Sequence, residues 1–201
     1  MSGVKPITIE TLKGENYLRQ DSSEVTKFNQ YLKWEIDLLK KFAFENDLYA
    51  VSAIQIGIAK RIIYLKNTSL YKSNDEVRDG RIIINPHVIE RRGLTRSWEA
   101  CLSCGDLAGN VRRPYEIALE YQDELGNVKV DIFEGFESTI LSHELDHLNG
   151  ILITDIADEV IEANEKERMV LRKEEPYEII SKDLDYDNQL VYNAYPLVKS
   201  R

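Results

Sequence analysis

Only two cysteines and three histidines occur among the 201 residues of this chain. So few cysteines exclude a small secreted scaffold held by several disulfides. No apolar run reaches the ~20 residues of a membrane span, and the N-terminus lacks the charged-then-apolar order of a secretory signal. It is not arginine-rich like a transit peptide either, so the expected setting is the cytoplasm, or an organelle if such a peptide has been removed. Basic residues are in deficit: 26 Lys and Arg stand against 35 Asp and Glu, a net charge of −9. That balance argues against specific or general nucleic-acid binding through a basic surface. Local clusters at Arg91-Arg92 with Arg96 and at Arg112-Arg113 read as solvated or ion-paired, although they would also suit a transient ribosome contact. Repeats and low-complexity segments are absent. With 43% hydrophobic residues, what remains is a chain able to fill one sizeable core.

What the sequence does contain is concentrated in His143-Glu144-Leu145-Asp146-His147. Residues four apart stack on one face of a helix. Two imidazoles at that spacing reach one divalent cation, and Glu144 can stand beside a water on that cation. Phe136, Ile140, Leu141, Leu145 and Leu148 recur at helical spacing, and Asn149-Gly150 supplies a C-terminal stop. At about 100° per residue, Phe136, Ile140, His143 and His147 share a stripe. An ordinary amphipathic helix with two satisfied histidines shows the same five residues, so the motif needs a third ligand. The extended metalloprotease pattern fails, because Ile153 stands where a third histidine belongs. His87 has no partner at ligand spacing. Glu162, Glu165 and Glu167 remain candidates on a charged helix that reads as a solvated face, as do Cys101 and Cys104.

Cys101 lies in Glu99-Ala100-Cys101-Leu102-Ser103. With this segment the sequence resembles the peptide deformylase family, whose motifs run in the order G-x-G-[LI]-A-A-x-Q, E-G-C-L-S and Q-H-E-x-D-H. Here they read LYAVSAIQ from Leu48 to Gln55, EACLS from Glu99 to Ser103 and SHELDH from Ser142 to His147. Ile56-Gly57, Leu148-Asn149-Gly150, the strand-ending Asn85-Pro86 and the basic Val111-Arg112-Arg113 also match. The resemblance runs from about Leu12 to Asp155. It implies Cys101, His143 and His147 as ligands of one divalent ion, Glu144 as general base, and Gln55 with the Leu102 N–H as oxyanion donors. Iron(II) is the implied native metal, although zinc, nickel and cobalt accept the same donors.

Several positions depart from the family pattern. Leu48, Ala50 and Ala100 replace glycines, and Ser142 replaces a glutamine. Glycine at such places signals positive φ or close backbone approach to a ligand, so Ala50 and Ala100 are expected to crowd a bound peptide. Phe136 and Ile140, on the histidine stripe, are expected to line the pocket for the first side chain, with Tyr49 as a second wall. Cys101-Leu102-Ser103-Cys104 is also a Cys-x-x-Cys, but nothing around it resembles a redox motif opening a helix, and Cys104 reads as a small buried hydrophobe.

The expected architecture is α+β, with antiparallel or mixed sheets around a central His-Glu-x-x-His helix. A first helix is expected over Ser23 to Asn46, capped by Ser22 or Ser23. Strands are expected at Arg61–Leu65 and Arg81–Ile84, a hairpin at Ile117–Tyr121 and Val128–Ile132, and a polar loop from Asn67 to Gly80. A catalytic domain over residues 1–157 would precede a C-terminal part, 158–201, with a charged helix over Val160 to Lys173 and a tyrosine-rich tail packing back or serving as a docking arm. The implied function is hydrolytic removal of formyl groups from new formyl-methionyl peptides, releasing formate, with the oligomeric state open. Two alternatives remain: a metal-holding binding module, and the same hydrolysis on a different acylated amide.

Overall fold

In the computed structural model, residues 4–67, 80–174 and 177–185 are described. Their chain order opens with two helices, α1 (Leu12–Leu18) and α2 (Gln30–Glu45). Strands β1 (Ala50–Ser52), β2 (Ile62–Lys66) and β3 (Gly80–Ala100) come next, then β4 (Leu107–Arg113), β5 (Glu116–Gln122) and β6 (Val128–Glu134). The motif helix α3 (Phe136–Leu148) follows, then α4 (Ile153–Ile156), β7 (Glu159–Glu162), α5 (Glu165–Glu174) and β8 (Glu178–Asp185). Every strand pairing is antiparallel, and β3 is the hub: it borders β2, β4, β5 and β8 along its length.

The strands at the centre read as continuous apolar runs because both faces are covered. On one side Ile62, Tyr64, Ile82 and Ile84 pack with Leu32, Ile36, Leu39 and Phe42 of α2. On the other, Ile63, Leu65 and Ile83 join Ile117, Leu119 and Phe133 around Leu141, Leu145 and Leu148 of α3. The period of two along each strand sorts alternate residues to the two helices. Completely burying one such leucine or isoleucine contributes about 1.5–3 kcal/mol, so α3 is held by its apolar face and offers its histidines on another.

Some expectations are corrected. The first helix is α1, capped by the Thr11 side chain. The second begins at Gln30, not near Ser23, because the Asn29 side chain accepts from the N–H groups of Tyr31 and Leu32 at 3.0 and 3.2 Å. Upstream, Val25 is held outside any helix: its N–H donates to Asn85 Oδ1 at 2.8 Å and its carbonyl accepts from Asn85 Nδ2 at 2.9 Å. The apolar spacing of Val25 and Phe28 is therefore satisfied outside a helix. Nor does the chain leave the sheet at Asn85-Pro86. Asn85 takes φ +51°, the register shifts between Ile84 and His87, and β3 continues beyond this irregularity, where proline is tolerated.

The hairpin forms as expected, with β5 and β6 in register from Glu116↔Glu134 to Gln122↔Val128. The expected loop at Asn67 to Gly80 falls mostly on residues 68–79, outside the described ones, and Gly80 already belongs to β3. Val160 stands in β7, paired to β4, so the charged helix starts only at Glu165. The tail returns to the sheet as far as Asp185, with β8 beside β3; the rest of the tail lies outside the described residues. Arg92, Arg96 and Arg112 each contact an acid, at 2.7 Å to Glu90, 3.2 Å to Glu178 and 2.6 Å to Asp158.

Candidate metal centre and active site

Three elements deliver the site. Helix α3 presents His143, Glu144 and His147; a 3-10 turn over Leu102–Cys104, at the end of β3, presents Cys101 as its N-cap; a second 3-10 turn, Ala53–Ile56, presents Gln55. The four-residue step puts the imidazoles edge to face, with ring centroids 4.9 Å apart. Cys101 Sγ lies 3.1 Å from His147 Nε2. One donor atom from each of Cys101, His143 and His147 lies within 4.8 Å of the others, and all three side chains are buried.

Orientation of the first imidazole comes from Glu99, whose Oε2 is 2.9 Å from His143 Nδ1. This leaves Nε2 for the cluster, as a carboxylate behind a ligating histidine does. Glu99 is held in turn by Arg113, whose Nε and Nη2 donate to its two oxygens at 2.8 and 2.9 Å. The remaining Arg113 nitrogen, Nη1, donates to Asp146. Arg113 is 1% exposed, so one buried guanidinium serves two carboxylates; breaking such a pair costs about 3–5 kcal/mol because a lone charge stays behind. Burial pushes Glu99 up, but the charge and hydrogen bonds of Arg113 outweigh it and hold the carboxyl at about 2. Burial likewise lowers His143, yet the hydrogen bond and charge of Glu99 turn the balance upward. His147 is driven well down by burial, then by the His143 and Arg113 charges, and a neutral imidazole is the form that binds a cation.

Glu144 is almost completely buried and its Oε2 has no partner among the described residues. Burial raises its pKa, against His143 and the Ser52 hydroxyl and N–H. A buried carboxylate oxygen without a protein partner beside a three-donor cluster fits a site that takes a cation and a water. The chemistry of the donors agrees: one sulfur and two nitrogens leave a tetrahedral ion one open position.

Gln55 is fixed in a single sense. Its Oε1 accepts from the Ser52 N–H at 3.0 Å and from the Ser52 hydroxyl at 3.1 Å. A backbone N–H can only donate, so the amide oxygen must face Ser52 and the NH2 must face the cluster. Nε2 lies 3.3 Å from His147 Nε2, 3.3 Å from Ser103 Oγ and 3.8 Å from Cys101 Sγ. Leu102 opens its turn, where an N–H has no partner within the turn.

Tyr49 and Phe136 meet edge to face with centroids 5.8 Å apart, and each ring is about half exposed, at 47% and 53%. Ile140 is partly buried against the second core cluster. Ala50 pairs with Leu65 at the edge strand β1, and Ala100 with Ala108 at the end of β3. Neither alanine lies in the left-handed region, so close approach, not φ, is what the lost glycines would affect. Cys104 is buried with Leu18, Leu152 and Ile153, as a small hydrophobe would be, and the Cys-x-x-Cys leads only into a three-residue 3-10 turn. His87 and Glu162, Glu165 and Glu167 take no part in the cluster. Ser52, Glu99, Arg113 and Asp146 were not singled out beforehand; an acid inside a motif of a buried helix needs a buried cation, and that requirement was the available signal.

An α+β sheet wrapped on a His-Glu-x-x-His helix, with one thiol and two imidazoles converging beside a buried acid, defines a mononuclear metal hydrolase. A sequence model of the family described as Polypeptide deformylase matches residues 8–162. A peptide deformylase of Acetivibrio thermocellus is 32% identical over 158 residues, covering 77% of this chain and 86% of that protein. Among solved structures, a Plasmodium falciparum peptide deformylase matches with TM-score 0.65 at 31% identity, over 84% of this chain and 91% of that one. A peptide deformylase of Thermotoga maritima matches with TM-score 0.67 at 27% identity, over 79% and 100% of the two chains. The chain belongs to the polypeptide deformylase family. No helix among the described residues is long and apolar enough to cross a membrane.

Proposed function

We propose that this chain removes the N-terminal formyl group from formyl-methionyl peptides, releasing formate and a free amine, with Cys101, His143 and His147 holding one divalent ion. The observation that carries this reading is the convergence of those three donors within 4.8 Å, beside a buried acid whose Oε2 no protein group satisfies. Iron(II) is the proposed native ion, with zinc, nickel and cobalt accepted by the same donors. An ion held there would supply Lewis acidity that makes a water nucleophilic near pH 7.

The chain's own groups do the rest. Glu144 accepts the proton of the attacking water and later delivers it to the departing amine nitrogen. As the carbonyl becomes tetrahedral, the Gln55 amide and the Leu102 N–H donate to its oxygen. Glu99 and Arg113 hold His143 in the orientation the ion needs. The proposed setting is the cytoplasm, on chains leaving the ribosome. A pure binding module has no use for Glu144 or for a Gln55 amide aimed at the cluster, and the family membership does not favour it.

Formate release from a formyl-methionyl tripeptide by anaerobically prepared, metal-analysed protein tests the activity directly. In the same preparation His143→Ala is expected to lose the metal and melt at a lower temperature. Unchanged metal content per chain would overturn the ligand set.

The altered peptide contacts predict poor substrate binding. Tyr49 and Phe136 narrow the first side-chain pocket, while the Ala50 and Ala100 methyl groups press on the peptide backbone. Such contacts hold ground and transition states alike, so the loss is expected mainly in KM. Ala50→Gly and Ala100→Gly should lower KM for the tripeptide, and Phe136→Leu should do so by widening the pocket. Steady-state kinetics on parent and variants decides; an already low KM with no gain from any variant would show the departures to be neutral.

A further inference from the structure

The reaction uses one of two neighbouring thiols. Cys101 caps its 3-10 turn in an extended conformation, φ −124° and ψ 132°, with Sγ accepting from the Ser103 N–H at 3.4 Å. The Cys104 N–H returns to the Cys101 carbonyl at 3.0 Å and closes the turn. The turn thus brings the two ends of the Cys-x-x-Cys together, and both thiols are unbridged and buried. A turn closed in this way keeps its end Cα atoms under about 7 Å apart, within disulfide reach. Both sulfurs share one buried cluster with Leu18, Leu152 and Ile153, and no other cysteine exists to compete.

We propose that Cys101 and Cys104 form a reversible intramolecular disulfide that withdraws Cys101 from the metal, making the centre redox-switchable. The proposal rests on the reading of Cys101 as a ligand. With a peroxide as oxidant the step balances. Cys101 sulfur attacks one peroxide oxygen, the O–O bond breaks, and a sulfenic acid and one water result. Cys104 sulfur then displaces the hydroxyl as a second water and the S–S bond forms, so two thiols lose two electrons and hydrogen peroxide gains them. A dithiol reverses the bond by exchange. Cys104 thereby stops Cys101 short of the sulfinic and sulfonic stages, which no dithiol reverses.

The test uses the full chain, reduced and freed of metal by a chelator. It is treated with excess hydrogen peroxide, alkylated, weighed by mass spectrometry, and offered cobalt(II), whose thiolate charge-transfer band reports Cys101 ligation. The parent is expected to lose two hydrogens in mass, resist alkylation and take up no cobalt(II) until dithiothreitol is added. Cys104→Ala, and Cys104→Ser as a companion of matching size, should bind cobalt(II) when reduced but gain oxygen mass at Cys101 under peroxide. Dithiothreitol should then restore nearly all cobalt binding in the parent and under about a tenth in these variants. A parent that gains oxygen mass without losing hydrogens, or that links into dimers, overturns the proposal. Reduced parent that takes up no cobalt(II) refutes the ligand set, and with it the metal half of the proposal, while the mass still judges the disulfide.

Discussion

Glu144→Gln is expected to remove nearly all formate release, by about a hundred- to ten-thousand-fold, while metal content stays near that of the parent. The carboxylate belongs to no ligand group in the cluster, so its loss leaves the donors in place. What disappears is the group proposed to take a proton from water and return it to the amine. Stability gives an independent readout. Glu144 is 4% exposed with an unpartnered Oε2, and burying an ionised carboxylate is costly. An amide of the same shape escapes that cost, so Glu144→Gln should melt no lower than the parent. Wild-type turnover in this variant would remove Glu144 from the mechanism; a large drop in melting temperature would mean that the substitution acts through the fold.

The second large effect is expected at Gln55. Deleting one oxyanion donor typically lowers the rate by about a hundred- to a thousand-fold, and Gln55→Ala should fall in that range, mostly in kcat. The alanine variant also leaves the buried Ser52 N–H without its 3.0 Å acceptor, which adds a stability loss of about 1–3 kcal/mol. Gln55→Glu separates the two contributions. A carboxylate still accepts from Ser52 but presents no N–H to the cluster, so the donor is lost while the brace is kept, at a stability cost of its own for the buried charge that the thermal midpoint reads. Steady-state rates and thermal midpoints on both variants test this: a glutamate variant with parental kcat would show that Gln55 acts only as a brace for its turn.

The residues proposed for the chemistry were legible because they lie in short segments whose spacing is itself geometric. Two imidazoles four apart on a helix meet whatever surrounds them, and the three motifs fixed Cys101 and Gln55 by their order. The supports were less legible. Arg113 reads in sequence as one of several basic surface residues, and only the fold shows it enclosed between Glu99 and Asp146. The start of α2 was misplaced for a related reason. Val25 has the right spacing for a helix, but a side chain sixty positions away, Asn85, ties up its backbone. The left-handed turn at Asn85 likewise turned an expected strand end into a bend within β3. In each case a contact between distant segments outweighed the local pattern, and a single sequence carries no local trace of such contacts.

Strand β3 has a consequence for how the protein is made. Its middle is flanked by β5 but its 92–96 stretch waits for β8, the last of the described strands to be synthesised. Pairings between segments far apart in sequence form slowly, and an unpaired strand edge is open to other chains in the meantime. Every group assigned to the chemistry is translated well before Glu178. A chain halted there would carry the proposed reaction centre yet show a bare edge beside Leu94 and Thr95, and its yield as folded protein, more than its turnover, would register the missing strand.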